Sequence, residues 1–274
     1  MGRSGLNSGG DKFEIACDYR ENTATAKTTA MRFVGIIPAR LASTRLPRKV
    51  LRLIAGEPML AHVYRAAAGA NLLNEVIIAT DSQEILDFCS AQGWKAQLTS
   101  SQHHSGTERV REVAASLKAD VYLNIQGDEP LAKPEHIAKL IEVMRGPAVQ
   151  VGTLKTPAAA EDIKNPNAVK VVTDGAGRAL YFSRATIPYY RDGSQSPQYF
   201  KHLGFYAYRK AALERFCDLP ESSLERSERL EQLRFLENGI EIQVAETPYD
   251  TIGVDTEDDL RRAEQVLLTR GKIT

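Results

Sequence analysis

A group of basic side chains lies in residues 38–49, PARLASTRLPRK, where it could bind an anion. No Asp or Glu occurs in residues 22–56, whereas Arg40, Arg45 and Lys49 fall inside that window. Arginine offers forked donors to phosphate oxygens, and lysine offers a compact point charge. Two interpretations are open at this point, a loop that wraps a polyphosphate and a solvated basic turn. Because the segment contains neither G-x-x-x-x-G-K-S/T nor G-x-G-x-x-G, the two common glycine-rich phosphate loops are disfavoured.

An aspartate follows a second apolar run of the sequence. Asp128 lies in residues 124–130, NIQGDEP, at the end of the apolar run 121–125. In open parallel sheets, ligands bind beyond the carboxyl ends of the strands. Carboxylates near phosphates commonly hold Mg²⁺, an ion that shares its shell between substrate oxygens and one or two acids. The alternative is that Asp128 forms an Asx turn before a helix that begins at Pro134.

A second candidate metal ligand precedes the last predicted helix, in residues 253–260, GVDTEDDL. Thr256 and Asp259 fit a capping box, so Thr256 can serve as the N-cap. Asp255 is then free to share a metal ion with Asp128. The competing interpretation is that Asp255 only stabilises the positive end of that helix. The residues alone leave both interpretations open.

Cysteine and histidine give no sign of a metal or nucleophile site. Cys17, Cys89 and Cys217 are odd in number and widely spaced, which argues against disulfides and structural zinc and favours an intracellular protein. Cys89 falls in an amphipathic segment and is predicted to be a small buried residue. His103 and His104 lack the spaced partners of a metal site, so a solvated loop is expected.

Short β-rich runs alternate with amphipathic stretches after the first thirty residues, which predicts βαβ units, a mostly parallel central sheet and an α/β fold. The run 33–37 is apolar on both faces and indicates a buried central strand. Because DGAG at 174–177 is typical of a hairpin turn, the segment at about 150–210 is predicted to be a smaller antiparallel lobe. Glu231 is expected on the polar side of an amphipathic helix over about 223–237. Other strands are predicted at 75–79, 94–98, 121–125, 168–173, 178–183, 202–208 and 240–246, and other helices at 58–70, 82–92 and 105–117, from 134 and from 256.

Domain organisation follows from length and composition. Residues 1–30 start with a Gly- and Ser-rich stretch and show no period of 2 or 3.6, so a disordered arm is expected there. Residues 31–274 are expected to form a single domain.

The composition also excludes some partners and locations. The 35 Lys and Arg balance 35 Asp and Glu, and this zero net charge argues against non-specific nucleic-acid binding. The apolar stretches fall far short of about 20 residues, so no membrane insertion is expected. A secretory signal is not recognisable, and a cytoplasmic location is expected.

Nine segments taken together resemble one known family. They are IIPARLASTRLPRK (36–49), ATD (79–81), SGTER (105–109), NIQGDEP (124–130), NPNAVKVV (165–172), ALYFSRATIP (179–188), KHLGFYAYR (201–209), LEQLR (230–234) and GVDTEDDL (253–260). In this order they resemble the 3-deoxy-manno-octulosonate (Kdo) cytidylyltransferases, also called CMP-Kdo synthetases. The basic loop alone would indicate only a sugar nucleotidyltransferase, and the segments at 181–188 and 201–206 narrow the resemblance to this family.

The resemblance implies a fold and a reaction. The fold is a Rossmann-like nucleotidyltransferase fold, and the reaction joins CTP and Kdo into CMP-Kdo and pyrophosphate for lipopolysaccharide or a related polysaccharide. Mg²⁺ is the implied cofactor, and the implied partners are the two small-molecule substrates. A homodimer is implied as well, formed through the antiparallel lobe.

The resemblance also implies roles for individual residues. Those matching the triphosphate-binding loop are Arg40, Ser43, Arg45 and Lys49. Those bordering cytosine and ribose are Asp81, Ser105, Gly106, Thr107 and Arg109. Those matching the magnesium-binding aspartates are Asp128 and Asp255, which with Arg40, Arg45 and Lys49 form the implied catalytic set. Those around the sugar acid are Gln126, Arg184, His202, Tyr206, Glu231 and Gln232.

The sequence departs from the family pattern at two positions of the basic loop. Arg48 stands where the family usually has glycine, so if the position requires a positive φ the arginine is strained. Leu41 stands where an aromatic residue is common. Two alternatives to the implied function remain at this stage. One is activation of a different sugar, such as sialic acid, an amino analogue of Kdo or a hexose 1-phosphate, and the other is a nucleotide-binding homologue without turnover.

Overall fold

The structure, a computed structural model, describes residues 1–2, 31–43, 45–191 and 198–270. The chain divides into two units, Met1–Ala30 and Met31–Thr274, and the elements described below belong to the second. The disordered arm expected at 1–30 lies outside the described residues, apart from the first two. Cys17 falls in the same undescribed segment.

Strands and helices alternate along the described chain, as the sequence predicts. The strands are β1 (Phe33–Ala39), β2 (Leu53–Ile54), β3 (Glu57–Pro58), β4 (Glu75–Thr80), β5 (Ala96–Leu98), β6 (Val121–Asn124), β7 (Val151–Pro157), β8 (Lys170–Thr173), β9 (Ala179–Ser183), β10 (Phe200–Arg209) and β11 (Ile242–Glu246). The α-helices are α1 (Met59–Gly69), α2 (Gln83–Ala91), α3 (Gly106–Ser116), α4 (Pro134–Met144), α5 (Ala160–Ile163), α6 (Lys210–Asp218), α7 (Ser223–Glu228), α8 (Leu233–Glu237) and α9 (Glu257–Arg270). A 3-10 turn, Lys49–Leu51, follows the basic loop.

One sheet of nine strands organises the fold, with the order β11-β7-β10-β6-β1-β4-β5 along its main path. β1 pairs in parallel with β4 and β6, β4 with β5, and β11 with β7. β10 runs antiparallel to both its neighbours, β6 and β7. β8 and β9 form an antiparallel pair that joins the sheet at β10. The predicted α/β fold with a mostly parallel central sheet is confirmed, and the antiparallel strands of the segment 150–210 are continuous with that sheet.

Helices cover both faces of the sheet, which explains why β1 is apolar throughout. Val34 and Ile36 pack on one face with residues of α3 and α6, including Val110 and Phe216. Ile37 packs on the other face with residues of α1 and α4. Burying one such side chain is worth about 1.5–3 kcal/mol, so the two-sided burial fixes β1 in the middle of the sheet. The end of β1, and with it the start of the basic loop, is therefore held rigidly.

Serine caps start two of the helices where the sequence predicts them. The Ser82 Oγ accepts a hydrogen bond from the Ile85 N–H at 3.5 Å, at the start of α2. The Ser105 Oγ accepts one from the Glu108 N–H at 3.2 Å, at the start of α3. Such caps stabilise a helix by about 1 kcal/mol, and the one at Ser105 also points the first turn of α3 towards β1.

The structure corrects the prediction in the second half of the chain. The single helix predicted over 223–237 is wrong, because α7 and α8 are separated by a turn in which Arg229 adopts the left-handed region at φ 54°. The strand β7 and the helix α6 were not predicted. β7 is buried on both faces and contains Gly152, so it lacks the alternation that marks a half-buried strand.

Cys89 is buried, as predicted, and both described cysteines are free. Burial raises the pKa of the Cys89 thiol to about 11, and burial raises that of Cys217 to about 11 as well, which disfavours a reactive thiolate at either position. Over the ranges that the structure describes, no helix is long and apolar enough to cross a membrane.

Candidate active site

A cavity of about 500 Å³ lies at the carboxyl ends of β1 and β6. Four segments that are distant in sequence line it: the basic loop, the start of α3, the loop after β6 and the loop before α9. Its walls include Arg40, Ser43, Arg45, Lys49, Ser105, Gly106, Arg109, Gln126, Asp128 and Asp255. The structure therefore brings most of the sequence-predicted nucleotide, metal and catalytic residues into one space. The interpretation of the basic loop as a solvated turn loses its support, since the loop faces a cavity with two carboxylates on its wall.

Two lysine–aspartate ion pairs form the centre of the cavity. The Lys49 Nζ lies 2.7 Å from the Asp128 Oδ2 and 2.9 Å from the Asp255 Oδ1. The Arg45 Nη2 lies 2.9 Å from the other oxygen of Asp255. The Lys49 side chain is only 13% exposed. These contacts place two carboxylates on either side of one cationic nitrogen.

Charge pairing shifts the acid–base behaviour of this cluster. Burial alone would lower the pKa of Lys49, but Asp128 and Asp255 together raise it above its ordinary value. Burial alone would raise the pKa of Asp255, but Lys49 and Arg45 hold it below its ordinary value. The lysine is therefore an ammonium and Asp255 a carboxylate at neutral pH.

Backbone contacts hold the two aspartate loops together. The Val254 N–H donates to the Asp128 carbonyl at 2.9 Å. A Cβ at Gly127 would lie 2.7 Å from the Pro38 carbonyl oxygen, which is closer than carbon atoms tolerate. Glycine at this position thus allows the loop after β6 to approach the start of the basic loop.

The neighbours of Asp255 bear on its two alternative roles, metal ligand and helix stabiliser. The Asp259 N–H donates to the Thr256 Oγ1 at 3.2 Å, and the Thr256 N–H donates to the Asp259 Oδ2 at 3.0 Å. This reciprocal pair is the predicted capping box. The side chain of Asp255 is not part of it and pairs with Lys49 and Arg45 instead. These ion pairs favour the interpretation in which the Asp255 carboxylate faces the cavity over the one in which it only stabilises the helix terminus.

The residues predicted to border cytosine and ribose divide into two groups. Ser105 and Gly106 line the cavity directly. Arg109 is 3% exposed, and its Nη2 donates to the Asp81 Oδ2 at 2.9 Å. Thr107 is buried, and its hydroxyl donates to Glu231 behind the cavity wall. Asp81 and Thr107 thus position neighbouring groups, whereas Ser105, Gly106 and Arg109 reach the cavity itself.

The six residues predicted around the sugar acid lie near the same end of the sheet but not in one cavity. Gln126 lines the main cavity. His202 lines a second cavity of about 230 Å³ that shares Arg45 and Asp255 with the first. Tyr206 is buried, with its ring 5.3 Å from that of His202. Glu231, Gln232 and Arg184 lie behind these residues and line neither cavity.

Burial determines the protonation of His202 and Tyr206. Burial lowers the pKa of His202 to about 3, so its ring is neutral at pH 7. The ring shares a hydrogen bond of 3.1 Å with the Thr153 hydroxyl. Burial also raises the pKa of Tyr206 well above its ordinary value, so its hydroxyl stays protonated. Both side chains can therefore exchange uncharged hydrogen bonds.

Glu231 is not on the surface of a helix, and the expectation that it lies on a polar helix side is wrong. It lies in the turn between α7 and α8 that begins after Arg229. Burial raises the pKa of Glu231, while hydrogen bonds from Thr107 and Ser105 oppose the shift. Glu231 therefore connects this turn to the first turn of α3.

Arg184 makes backbone contacts that no sequence pattern reveals. Its guanidinium donates to the carbonyl oxygens of Glu228 at 2.6 Å, Pro166 at 3.0 Å and Arg229 at 3.3 Å. These bonds fasten the end of β9 to the turn that carries Glu231. A guanidinium used in this way positions a loop, and the sequence-based role as a carboxylate clamp stays a prediction.

The expectation of strain at Arg48 is confirmed. Arg48 adopts φ 57° and ψ 29°, in the left-handed region where glycine is favoured. Its side chain is exposed and pairs with Glu84.

His103 is half-buried on the cavity wall and pairs with Glu112, so it is less solvated than expected. Among the residues that the structure describes, no group of three or more His, Cys, Asp or Glu could hold a metal on its own.

Glu129 is a residue of this region that the sequence analysis missed. It is 8% exposed, and its Oε2 has no hydrogen-bond partner within the described part of the chain. Burial, and then the charge of Asp128, raise the pKa of Glu129 to about 7. The available signal was its place beside Asp128 at the end of a buried strand.

Comparisons with known proteins agree with this geometry. A family model described as cytidylyltransferase matches residues 34–242. A protein of Koribacter versatilis named 3-deoxy-manno-octulosonate cytidylyltransferase is 66% identical over 91% of this chain and 95% of its own length. A protein of the same name from Acidobacterium capsulatum is 59% identical over 89% of this chain and 100% of its own length. A solved structure of CMP:2-keto-3-deoxy-manno-octonic acid synthetase complexed with CTP matches with a TM-score of 0.83 and 41% identity, over 87% of this chain and 99% of that one.

The fold and the converging basic and acidic loops are those of a nucleotidyltransferase, an enzyme that transfers a nucleotidyl group from a nucleoside triphosphate. The sequence identity of the relatives, and the share of the chain that they cover, define the family within this class of enzymes. The chain belongs to the family of the 3-deoxy-manno-octulosonate cytidylyltransferases, which confirms the resemblance found in the sequence.

Proposed function

We propose that the protein transfers the cytidylyl group of CTP to Kdo and releases pyrophosphate. The observation that carries this proposal is the meeting of Arg45 and Lys49 with Asp128 and Asp255 in one cavity. A triphosphate requires cations, and a metal-assisted displacement requires paired carboxylates. The relatives named above act on CTP or Kdo by their names, which supports the same substrates here.

Asp128 and Asp255 are the residues that would hold Mg²⁺. Their carboxylates already flank one cation, the ammonium of Lys49, at 2.7 and 2.9 Å, so their separation suits a small cation. Two protein carboxylates without further protein ligands are the donor set that Mg²⁺ takes when substrate oxygens complete its shell. When bound, Mg²⁺ neutralises charge at the α-phosphate and makes the sugar hydroxyl more acidic.

The side chains of the basic loop bind the triphosphate and stabilise the leaving group. Arg40, Ser43, Arg45 and Lys49 face the cavity from one side. The anomeric hydroxyl of Kdo attacks the α-phosphorus in line, and pyrophosphate leaves towards Arg45 and Lys49. These cations neutralise the charge that develops on the departing oxygens, and their fixed positions supply most of the catalysis.

The sugar acid lies on the other side of the aspartates. Gln126 and His202 can hydrogen-bond its hydroxyls from the walls of the two cavities. Tyr206, Glu231, Gln232 and Arg184 support this wall from behind. The cytosine and ribose lie against Ser105, Gly106 and Arg109, with Asp81 and Thr107 fixing that wall.

Three further properties belong to the proposal. Residues 31–274 act as one nucleotidyltransferase domain. Two copies associate through the antiparallel segment at about 150–210, where the exposed Leu180 of β9 offers apolar surface. The reaction takes place in the cytoplasm, where CTP is available.

Pyrophosphate release tests the proposal directly. Purified protein with Mg²⁺, CTP and Kdo should release pyrophosphate, and the product should contain CMP joined to the sugar acid. Sialic acid and hexose 1-phosphates in place of Kdo, and other nucleoside triphosphates in place of CTP, should react at least about 10²-fold less well, because a site built for particular hydroxyls rejects analogues by large factors. Equal use of a hexose 1-phosphate would contradict the sugar assignment, and CTP binding without turnover would indicate a non-catalytic homologue.

A further inference from the structure

The second cavity, of about 230 Å³, is polar and adjoins the reaction centre. It shares Arg45 and Asp255 with the main cavity, so a molecule at the aspartates can extend into it. Its walls include the amides of Asn165 and Asn167 and the ring of His202. Amide, imidazole and hydroxyl groups on a wall suit a ligand with many hydroxyls.

Glu129 lines this cavity with an unsatisfied carboxyl oxygen. The carboxyl is 8% exposed, its Oε2 has no hydrogen-bond partner within the described residues, and the Thr251 side chain hydrogen-bonds it. Leaving a buried polar atom unpaired costs about 1–3 kcal/mol. The presence of an unpaired carboxyl oxygen at this position is explained if a bound ligand donates a hydrogen bond to it.

Lys201 directs its hydrogen bonds to acceptors other than Glu129. The Lys201 Nζ lies 2.9 Å from Asp250 and 3.1 Å from Asp162. It also donates to the Thr251 carbonyl at 2.9 Å. Because Lys201 is fully occupied by these three acceptors, it leaves the Oε2 of Glu129 without a partner within the described residues. This oxygen is enclosed, so the carboxyl must turn slightly to present it to a donor in the cavity.

Two glycines keep the space around this carboxyl open. A Cβ at Gly204 would lie 3.3 Å from the Glu129 Oε1 and 3.5 Å from the Gln126 Cγ. A Cβ at Gly253 would lie 3.4 Å from the Glu129 Oε1. Gly204 therefore sits between Gln126 and Glu129, on the same strand as His202. Glu129 thus continues a row of polar groups that already faces the reaction centre.

We propose that Glu129 is a specificity-determining residue that binds a hydroxyl group of the sugar acid. This inference rests on the proposed function. The sugar hydroxyl donates its hydrogen to the free carboxyl oxygen of Glu129 when the sugar occupies the second cavity. The second cavity therefore selects the hydroxylated part of the sugar.

The first test replaces Glu129 with methionine and with glutamine. Glu129→Met keeps the approximate volume and removes the acceptor, so the KM for Kdo should rise at least about tenfold, with the KM for CTP changed less than about threefold. Glu129→Gln keeps a carbonyl acceptor and should restore the KM for Kdo to within a few-fold of wild type. The exposed Glu161→Gln is the matched control and should change neither constant.

Stability separates a binding role from a structural one. Glu129→Met removes a buried unpaired oxygen but also the hydrogen bond with Thr251, so the two effects oppose each other and its melting temperature should stay close to that of the wild type. Weaker sugar use without lower stability supports the proposal. A lower melting temperature with an unchanged KM for Kdo would overturn it and assign Glu129 a structural role.

Analogues of Kdo that each lack one hydroxyl identify the partner group. Wild type should lose at least about tenfold in kcat/KM with one of them, and Glu129→Met should lose no more than about twofold with the same analogue, since the contact is already absent. Gly204→Ala, which crowds the Glu129 carboxyl, should also raise the KM for Kdo and spare CTP. Equal losses by both enzymes with every analogue would overturn the inference, whereas a wild type that releases no pyrophosphate with Kdo would instead refute the proposed function.

Discussion

The Nζ of Lys49 lies 2.7 Å from the Oδ2 of Asp128, in the position between two carboxylates where a divalent cation would bind. If Asp128 and Asp255 hold Mg²⁺ as proposed, we expect the lysine to compete with the metal ion until an anionic substrate attracts it. Lys49→Met should bind Mn²⁺ in the absence of CTP at least about tenfold more tightly than wild type, because two carboxylates lose their compensating charge. Turnover should fall about 10²-fold or more, because a charge aimed at the leaving group is lost. Titration calorimetry and pyrophosphate release measure the two effects, and unchanged Mn²⁺ affinity would show that Lys49 does not compete with the metal.

Asp255 and Asp259 should separate catalysis from helix capping. Asp255→Asn should reduce turnover about 10²-fold or more and change stability by less than about 1 kcal/mol, since its ion pairs are half exposed. Asp259→Ala should lose about 1 kcal/mol, because it removes the capping box with Thr256, and should lower turnover far less than Asp255→Asn, because it removes only a backbone contact of Asp255. Denaturant unfolding and initial rates on both variants check this. The opposite pattern would mean that Asp255 acts on the helix.

Arg184→Ala should affect both stability and sugar use. The guanidinium donates to three carbonyl oxygens, so its loss should cost about 1–3 kcal/mol. The turn with Glu231 loses its fastening, so kcat/KM for Kdo should fall about 10²-fold, while the Kd of CTP stays within a few-fold. Arg178→Ala, which removes two ion pairs of a half-exposed arginine at the turn after β8, is the control; it should change stability far less than Arg184→Ala and leave sugar use unchanged. Loss of CTP binding in place of sugar use would contradict this prediction.

His202 should make the protein less stable in mild acid. Burial lowers its pKa from the ordinary 6.5 to about 3, so between these values the unfolded chain takes up a proton that the folded protein does not. The effect of His202 on the free energy of unfolding is therefore absent above about pH 6.5. Below that value, the free energy of unfolding decreases as the pH falls towards 3. From pH 7 to pH 5, His202→Gln should therefore lose less unfolding free energy than wild type, by on the order of 1 kcal/mol. Urea unfolding at both pH values, with exposed His104→Gln as the control, measures the difference, and equal slopes would refute it.

Arg48→Gly should stabilise the protein. A left-handed conformation costs an ordinary residue about 1–2 kcal/mol, whereas glycine adopts it without strain. Glycine, however, loses more conformational entropy on folding, which costs about 0.5–1 kcal/mol. The net gain should be about 0.5–1 kcal/mol. Arg48→Ala, which keeps the strain and removes only an exposed ion pair, should stay near the wild-type stability. Thermal unfolding of the three proteins checks the prediction, and a Gly variant no more stable than the Ala variant would contradict it.

The sequence predicts those parts of the fold and site that depend on local signals. Ser82 and Ser105 cap helices at the predicted positions because the cap and its partner N–H are three residues apart. The meeting of Lys49 with Asp128 is also predictable, because both follow strands whose carboxyl ends share one edge of a parallel sheet. The prediction for Lys49 and Asp128 requires only that two buried parallel strands be recognised in the sequence.

Features that depend on distant backbone could not be predicted in this way. Arg229 breaks the helix expected over 223–237 without a glycine or proline to mark the place. That break moves Glu231 from a helix surface to a half-buried position beside Thr107. Two other features depend on which loops pack nearby: the carbonyl partners of Arg184 and the unpaired oxygen of Glu129. The types and spacing of the residues do not predict this packing.

The hydrogen bond between Val254 and Asp128 has a consequence for synthesis of the chain on the ribosome. The chain leaves the ribosome from its N-terminal end, and a domain generally folds as a unit. A nascent chain that has emerged through β10 contains Lys49 and Asp128 but not Asp255, so its lysine has one carboxylate and its metal position is incomplete. Only when the loop before α9 docks on Asp128 does the nascent protein gain the second carboxylate. The proposed metal position, with both of its carboxylates, is therefore complete only after the C-terminal segment has been synthesised.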